Sequence, residues 1–144
     1  MMFMGEYSHT IDTKGRLIIP AKLREQLGDS CIMTKSLDNC LAIYTYEVFE
    51  AKATQLAAQS NGKASVRGLK RSIFANANEL EFDKQGRILV PATLRNYAFL
   101  KKEAVVIGAG DHVEIWSREH WDAYSADMDA NMEALTENME GLIF

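Results

Sequence analysis

An aspartate and an arginine four residues apart occur twice in the chain, and each arginine directly follows a glycine. The first copy is Asp-Thr-Lys-Gly-Arg at residues 12–16, and the second is Asp-Lys-Gln-Gly-Arg at residues 83–87. The copies start 71 residues apart, which is about half of the 144-residue chain. A repeat of this kind indicates a duplicated structural unit, so the chemistry of one copy is expected in the other.

Cationic side chains set the chemistry of both copies: Lys14 and Arg16 in the first, Lys84 and Arg87 in the second. A guanidinium can donate two parallel hydrogen bonds to guanine O6 and N7 or to a phosphate, whereas an ammonium contacts phosphate as a compact charge. We therefore interpret all four residues as candidate nucleic-acid contacts. The alternative is that each arginine only pairs with the aspartate of its own copy and holds a turn.

The aspartates and glycines of the motif predict a tight turn. Asp12 and Asp83 can accept a hydrogen bond from the backbone two residues on, and Gly15 and Gly86 can adopt a positive φ without strain. We interpret these four residues as structural. The expected arrangement is a hairpin in which residues 3–11 form the incoming strand and a bulged turn leads into the outgoing one.

The similarity continues beyond the turn, because seven of thirteen positions are identical when counted from each aspartate. Aliphatic residues at 17–19 and 88–90 predict short strands covered on both faces, and the proline that follows each suits the first turn of a helix. Arg24 and Arg95 occupy the same position in the two predicted helices. They are further candidates for contact with a phosphate, or else with a carboxylate.

Each half then repeats a second hairpin followed by a helix. The hairpins are predicted at residues 31–44 and 104–116. Thr45 and Ser117 are candidate N-caps for the helices that follow, since their hydroxyls can accept from backbone N–H groups of the first turn. The first of these helices is predicted at residues 46–59.

Apolar spacing adds detail to the helices. The helix after Thr45 is expected to bury Phe49, Ala53 and Leu56. Residues 64–75 predict a helix between the halves, with an apolar face opposite the basic residues Arg67, Lys70 and Arg71. That basic face is interpreted either as a solvated surface or as one that contacts phosphate or another subunit.

The last predicted helix carries an apolar seam that runs from Trp121 to Leu142 in steps of three and four residues. Its other face is acidic. The seam is expected to pack on its own core at first, and its far end is free to fray, to form a coiled coil or to dock on a neighbouring molecule.

Charge is distributed unevenly along the chain. The net charge is −4, but residues 1–110 carry +4 and residues 111–144 carry −8. This asymmetry indicates a basic working surface and an acidic appendage. A charge of +4 suffices for nucleic-acid binding if several copies line up along one duplex.

Several classes of protein are not indicated. An apolar fraction of 47% with 25% charged residues is ordinary for a globular protein, and no apolar run approaches the length of a membrane span.

Cys31 and Cys40 are expected to be reduced, partly buried thiols, and the three histidines show no metal-binding spacing. We expect no metal, no cofactor, no small-molecule ligand and no enzymatic activity, because no catalytic motif is present. A small hydrolase that uses one of the cysteines with a histidine is the remote alternative.

The two Asp-x-x-x-Arg motifs, at residues 12–16 and 83–87, resemble those of the MraZ family in the wider class of AbrB-like swapped hairpins. The resemblance extends to Gly-Glu-Tyr at residues 5–7, to the basic residues 67–71, and to Ile-Trp at residues 115–116 with a further tryptophan at 121. It covers most of the chain except about the last twenty residues.

The resemblance implies an α+β fold in which two tandem AbrB-like hairpin and helix repeats form a pseudo-symmetric, barrel-like core with flanking helices. The expected division is a first repeat at residues 1–62, a linker helix at 63–76 and a second repeat with the acidic helix at 77–144. It also implies a bacterial cytoplasmic protein, associated with the nucleoid, that assembles into ring-like homo-oligomers.

The function that the resemblance implies is sequence-specific binding to double-stranded DNA. Such a regulator would act mainly as a repressor of a division and cell-wall gene cluster at its own promoter, and it would read short repeated G-rich boxes. The alternative from another class is an antitoxin-like protein-interaction module on the same fold, which the acidic C-terminal helix favours.

Overall fold

The structure is a computed structural model, and it describes residues 2–142. Within this range the chain forms eight β-strands and five α-helices, so it is an α+β protein, as predicted. The strands are β1 (Glu6–Thr10), β2 (Arg16–Ile18), β3 (Cys31–Lys35), β4 (Leu41–Thr45), β5 (Asn78–Glu79), β6 (Arg87–Leu89), β7 (Glu103–Gly108) and β8 (Val113–Ser117). The helices are α1 (Ala21–Leu27), α2 (Tyr46–Ala57), α3 (Ala64–Ala75), α4 (Ala92–Tyr97) and α5 (Arg118–Ala130), with short 3-10 helices at Leu37–Asn39 and Ala134–Thr136.

The two halves exchange strands. Six strands form one antiparallel sheet in the order β1-β7-β8-β4-β3-β5, so β1 joins the hairpin of the second half and β5 joins that of the first. The remaining strands, β2 and β6, pair only with each other in a separate two-stranded ribbon. The predicted hairpins β3–β4 and β7–β8 are both confirmed.

The expected hairpin across the first turn is wrong. The turn closes with two backbone hydrogen bonds, from Gly15 to Asp12 and from Asp12 to Arg16, each 3.0 Å long. One residue earlier the strands have already parted, because the Ile11 N–H donates to the Lys102 carbonyl at 2.7 Å. The incoming strand therefore continues into the six-stranded sheet and the outgoing strand continues into the ribbon.

The barrel-like core remains a prediction. In the part of the chain that the structure describes, the six-stranded sheet is open, with β1 and β5 at its edges, and it does not close on itself. Equivalent residues of the two halves nevertheless fill one core, as the duplication predicts. These buried residues are Leu17, Ile19, Leu23 and Leu27 of the first half and Ile88, Val90, Leu94 and Ala98 of the second.

Both predicted N-caps begin their helices. The Thr45 hydroxyl accepts from the Val48 N–H at 3.3 Å at the start of α2, and the Ser117 hydroxyl accepts from the His120 N–H at 3.1 Å at the start of α5. The helix between the halves, α3, is confirmed at Ala64–Ala75.

Burial within α2 differs from the prediction. None of the residues of α2 or α3 is fully buried, so Phe49, Ala53 and Leu56 line a surface rather than a core. The reason lies in packing: the two helices lie on the β3–β4 side of the sheet, and no further layer formed by residues 2–142 covers them.

The C-terminal helix is shorter than its apolar seam predicts. It ends at Ala130, and residues 131–142 form turns and one 3-10 helix in which every side chain is exposed. Only the start of the seam meets a core, where Trp121 and Tyr124 pack against Trp116 on β8. Past that cluster the seam packs against no other surface within residues 2–142, so only intrinsic helix propensity would favour a helix there, and α5 ends at Ala130.

An ion cluster ties the β7–β8 turn to β8. His112 bonds Asp111 through Nδ1 at 2.6 Å and Glu114 through Nε2 at 2.9 Å, and Glu114 also accepts from the Trp116 indole at 2.9 Å. The bond to Glu114 raises the pKa of His112 above 6.5, although burial opposes the shift. The pKa of Glu114 is lowered, because the bonds from His112 and Trp116 outweigh the effect of its burial.

This cluster predicts a pH dependence of stability. Because the pKa of His112 is higher in the folded chain than in the unfolded one, its protonated ring stabilises the fold. This contribution is complete below the unfolded pKa of 6.5, and it is lost as the pH rises through the higher folded pKa. The lowered carboxylate pKa of Glu114 contributes above 4.5 and is lost on acidification. We therefore expect the stability difference between the chain and a His112→Gln variant, measured by urea unfolding, to be larger at pH 6 than at pH 9. A difference that grows towards pH 9 would contradict the assignment.

Candidate nucleic-acid interface

The ribbon of β2 and β6 presents one face to solvent. Its antiparallel register sets Arg16 opposite Leu89 and Ile18 opposite Arg87. Alternation along a strand places these four side chains on the outer face, where Ile18 and Leu89 are 39% and 60% exposed. Two arginines that lie 71 residues apart in sequence are thereby brought onto a single surface of two short strands.

Each aspartate organises its own turn. Asp12 Oδ1 accepts from the backbone N–H of Lys14 at 3.0 Å and of Arg16 at 2.9 Å, while Oδ2 accepts from Arg16 Nε at 2.7 Å. In the second turn Asp83 makes the same contacts, with Arg87 Nε at 2.7 Å. The carboxylate thus fixes the backbone and the guanidinium together.

The two motifs meet at one carboxylate. Arg87 Nη1 lies 3.8 Å from Asp12 Oδ2, the same oxygen that accepts from Arg16. Both guanidiniums are only partly exposed, at 34% for the Arg16 side chain and 25% for that of Arg87. The geometry joins the two turns into one cluster with two cationic side chains at its centre.

The hydrogen bonds of the turn keep the aspartates charged. The backbone N–H of Arg16 and then its side chain hold the pKa of Asp12 below 3.8, and Arg87 has the same effect on the pKa of Asp83. Each arginine uses Nε for this bond, and in residues 2–142 the Nη atoms of Arg16 make no hydrogen bond. The Nη edge of Arg16 is therefore available for a ligand.

The two lysines lie at the tips of the turns, and both are exposed. They are not equivalent, since Lys14 is the third residue of its motif and Lys84 is the second. Both tips flank the arginine cluster, which is a suitable place for contacts to the backbone of a nucleic acid.

Arg24 and Arg95 lie beneath the turns of the opposite halves. Arg24 donates from Nη1 to the Ile19 carbonyl at 3.1 Å and lies against Gly86. Arg95 donates to the Val90 carbonyl and lies against Gly15. Both are half-buried, so the structure gives them supporting contacts, while their contact with a ligand stays a prediction.

Two exposed lysines next to the first turn were missed in the sequence analysis. Lys101 and Lys102 precede β7, and the Lys102 carbonyl accepts from the Ile11 N–H, one residue before Asp12. The signal was the Lys-Lys pair itself, but only the exchange of β1 into the sheet of the second half places it beside the motif.

Other kinds of site are not indicated. Within residues 2–142, no three His, Cys, Asp or Glu side chains are grouped as metal ligands would be. Both cysteines are free and buried, and burial raises the pKa of Cys31 to about 11. None of the helices described is long and apolar enough to cross a membrane.

Known proteins are similar to this chain over almost its full length. A family model described as "MraZ protein, putative antitoxin-like" matches the chain twice, at residues 2–72 and 73–142. The transcriptional regulator MraZ of Desulforamulus reducens is 50% identical over 142 residues, which cover 99% of this chain and all of that protein. Those of Leuconostoc mesenteroides and Heliobacterium modesticaldum are 51% and 49% identical over 138 residues, which are 96% of each chain.

The fold and the paired turns define a duplicated α+β protein whose halves exchange strands around a shared arginine cluster. With two matches of the family model that together span nearly every residue, the chain belongs to the MraZ family.

The packing of Arg95 against Gly15 yields a prediction. Gly15 has φ 82°, and a Cβ there would overlap the Arg95 guanidinium; Gly110 has φ 86°, but a Cβ there meets nothing within 4 Å. Gly110→Ala should therefore cost only the backbone strain, about 1–2 kcal/mol. Gly15→Ala should cost about 1–3 kcal/mol more in urea unfolding, because a bond from a charged donor is also displaced. Equal costs would show that Arg95 does not support the turn.

Proposed function

We propose that the chain is a sequence-specific, double-stranded DNA-binding regulator of transcription. The observation that carries the proposal is the convergence of Arg16 and Arg87 on one exposed ribbon around Asp12. Relatives about 50% identical over nearly the whole chain carry the name transcriptional regulator, which supports the same class. The acting species is a ring-like homo-oligomer in the cytoplasm, associated with the nucleoid.

In this proposal the roles of the side chains follow from their places on the ribbon. Arg16 and Arg87 read base edges, and Lys14 and Lys84 position the duplex through its phosphates. Lys101 and Lys102 extend the phosphate contact beside the first turn. Arg24 and Arg95 act closer to the core, as supports that place the turns, and contact a phosphate only if the duplex approaches the ribbon closely.

The aspartates prepare the arginines for binding. A free arginine side chain loses conformational entropy when a ligand immobilises it, at a cost of about 0.5–1.5 kcal/mol. Here the Nε bond to Asp12 or Asp83 restrains each guanidinium in advance. In the described part of the chain the Nη edge of Arg16 stays free, while Arg87 Nη1 lies 3.8 Å from Asp12 Oδ2. An Nη edge presented in this way suits hydrogen bonds to guanine O6 and N7, which agrees with G-rich boxes as targets.

The regulatory role extends the proposal. The family resemblance supports repression of a division and cell-wall gene cluster through boxes at the protein's own promoter. Because one chain carries few cations on this face, affinity has to come from several subunits that engage successive boxes on one duplex.

A second candidate function is an antitoxin-like protein-interaction module. The exposed segment at residues 131–142, with three carboxylates and no basic residue, is the observation that favours it. A gel shift on the DNA upstream of its own gene separates the two, since only the first candidate requires a specific complex there.

Replacing Arg16 directly tests whether its side chain contacts base edges. Arg16→Ala should weaken specific DNA binding by about 10–100-fold, because a good bidentate base contact contributes about 1–3 kcal/mol. The fold should persist, since the ion pair of Arg16 with Asp12 lies at a partly exposed surface where solvent screens it. Affinity is measured by fluorescence anisotropy and the fold by thermal melting with circular dichroism.

Arg16→Lys is the matched control for that experiment. It keeps the charge and removes the planar fork, so the salt dependence of binding should stay while discrimination between sequences falls. An unfolded Arg16→Ala variant, or full specificity in Arg16→Lys, would contradict the assignment of Arg16 to base reading.

The distance between two DNA boxes tests whether a ring-like oligomer is the species that binds. Two boxes one helical turn apart should bind roughly 10²–10⁴-fold more tightly than a single box, because successive subunits present the same face to one side of the duplex. Binding should fall steeply with salt, by about 0.9 in the logarithmic slope for each phosphate neutralised. Inserting half a turn between the boxes should remove the gain. Equal affinity for in-phase and out-of-phase pairs would rule out the ring as the binding species.

A further inference from the structure

The two edges of the six-stranded sheet flank the ribbon of β2 and β6. The sheet ends at β1 on one side and at β5 on the other, and each of these strands leads into one of the two turns. Thr10 of β1 lies two residues before Asp12, and Glu81, just after β5, lies two residues before Asp83. The ribbon therefore has a first flank, beside the Asp12 turn, and a second flank, beside the Asp83 turn.

The duplication shows which residues of the two flanks correspond. Ala104 of β7 and Cys31 of β3 are at equivalent places, because each is paired with the N-cap residue of the helix that follows its hairpin. Lys102 and Asp29, two residues earlier, therefore correspond. The Lys102 carbonyl accepts from the Ile11 N–H at 2.7 Å, which places this lysine beside the first turn.

The second flank is built at the other edge of the sheet. The Leu80 N–H donates to the Cys31 carbonyl at 2.9 Å, two residues from Asp29. Glu79 and Glu81 lie on either side of Leu80 in sequence, and both are exposed. Their positions alternate with the buried Leu80, so their carboxylates point to the same, outer side.

The charges of the two flanks are opposite. The first flank carries Lys101, Lys102 and Glu103, and the second carries Asp29, Glu79 and Glu81. All six side chains are exposed, and within residues 2–142 none of them takes part in an ion pair. The excess positive charge of the first flank and the negative charge of the second are therefore not neutralised by neighbouring side chains.

These charges act on the phosphates of a bound duplex. A reading element in the major groove has one phosphate strand on either side of it, because that groove is only about 12 Å wide. A phosphate strand beside the first flank meets two lysines, whereas one beside the second flank meets three carboxylates. Both effects reach about 8 Å at physiological salt, which is the distance over which exposed charges are screened.

We propose that the duplex lies off-centre on the ribbon, with one phosphate strand held along the first flank by Lys101 and Lys102 and kept away from the second flank by its three carboxylates. The inference rests on the proposed DNA-binding function and adds a fixed side to it. The carboxylates contribute specificity rather than affinity, because they act against the reversed arrangement. Lys84 makes a weaker phosphate contact than Lys14 as a result.

Cleavage of DNA by a tethered iron–EDTA group tests which flank lies beside the duplex. Thr10→Cys places the group on the first flank and Ser30→Cys on the second, and both replace a small, exposed hydroxyl residue. Cys31 and Cys40 are buried, so the unmodified chain treated with the same reagent is the control for labelling elsewhere. On a duplex from the DNA upstream of its own gene, cleavage should be several-fold stronger with the Thr10→Cys conjugate.

The outcomes separate this inference from the proposed function. A specific complex in which both conjugates cleave equally, or Ser30→Cys cleaves more strongly, would overturn the off-centre arrangement and leave DNA binding intact. If only the Thr10→Cys conjugate loses binding, its label blocks the duplex, and the first flank is confirmed as the nearer one. Absence of any specific complex with the unmodified chain would remove the proposed function and this inference together.

The salt dependence of binding is an independent measure of the same arrangement. Each neutralised phosphate adds about 0.9 to the slope of log K against log salt. Lys102→Gln should therefore lower the slope by about 0.9 and weaken binding to specific and random duplexes alike. Glu81→Gln, the matched change on the second flank, should leave the slope unchanged. The proposal is wrong if the slope of Lys102→Gln equals that of the unmodified chain.

Discussion

The pairing of β2 with β6 is the constraint on which the rest of the structure depends. Leu17 lies directly opposite Ile88, and both are fully buried beneath a ribbon of three residues per strand. Neither strand is long enough to be stable alone, so each half completes the other. The same pairing brings the Arg16 and Arg87 turns onto one face. Core stability and the candidate DNA-binding surface are thus set by a single contact.

Duplication gave two similar units, but the halves have diverged around the shared core. Gly28 ends α1 with φ 72°, and the equivalent residue after α4 is Phe99 with φ 55°. A bulky residue in this conformation costs about 1–2 kcal/mol. The Phe99 ring stacks on His120 at a centroid distance of 4.5 Å, which offsets part of that cost. The first half therefore keeps the strain-free residue, and the second exchanges it for an aromatic contact between α4 and α5.

The features of the fold and of the candidate site that could be predicted from the sequence are those that depend on local chemistry. The caps at Thr45 and Ser117 and the hairpins β3–β4 and β7–β8 depend on neighbouring residues, and they were predicted correctly. The exchange of β1 does not follow from the turn residues, because the same turn closes either a hairpin or a swapped pair, and only the resemblance to swapped hairpins pointed to it. For the candidate site, the sequence indicates the two turns, but the position of Lys102 beside the first turn follows only from that exchange. The end of α5 at Ala130 was missed because the apolar seam continues in sequence after its packing surface ends.

We propose that Asp12 and Asp83 hold Arg16 and Arg87 in position to bind DNA. The most direct test is the affinity of an Asp12→Asn variant for a specific duplex and for a random one, at two salt concentrations. Asparagine keeps an oxygen for the backbone bonds of the turn but removes the charge that holds Arg16 and Arg87. We predict weaker specific binding in spite of the more positive surface, with random binding unchanged or slightly tighter. Tighter binding to both duplexes would contradict the account, because Asp12 would then act only as a repulsive charge.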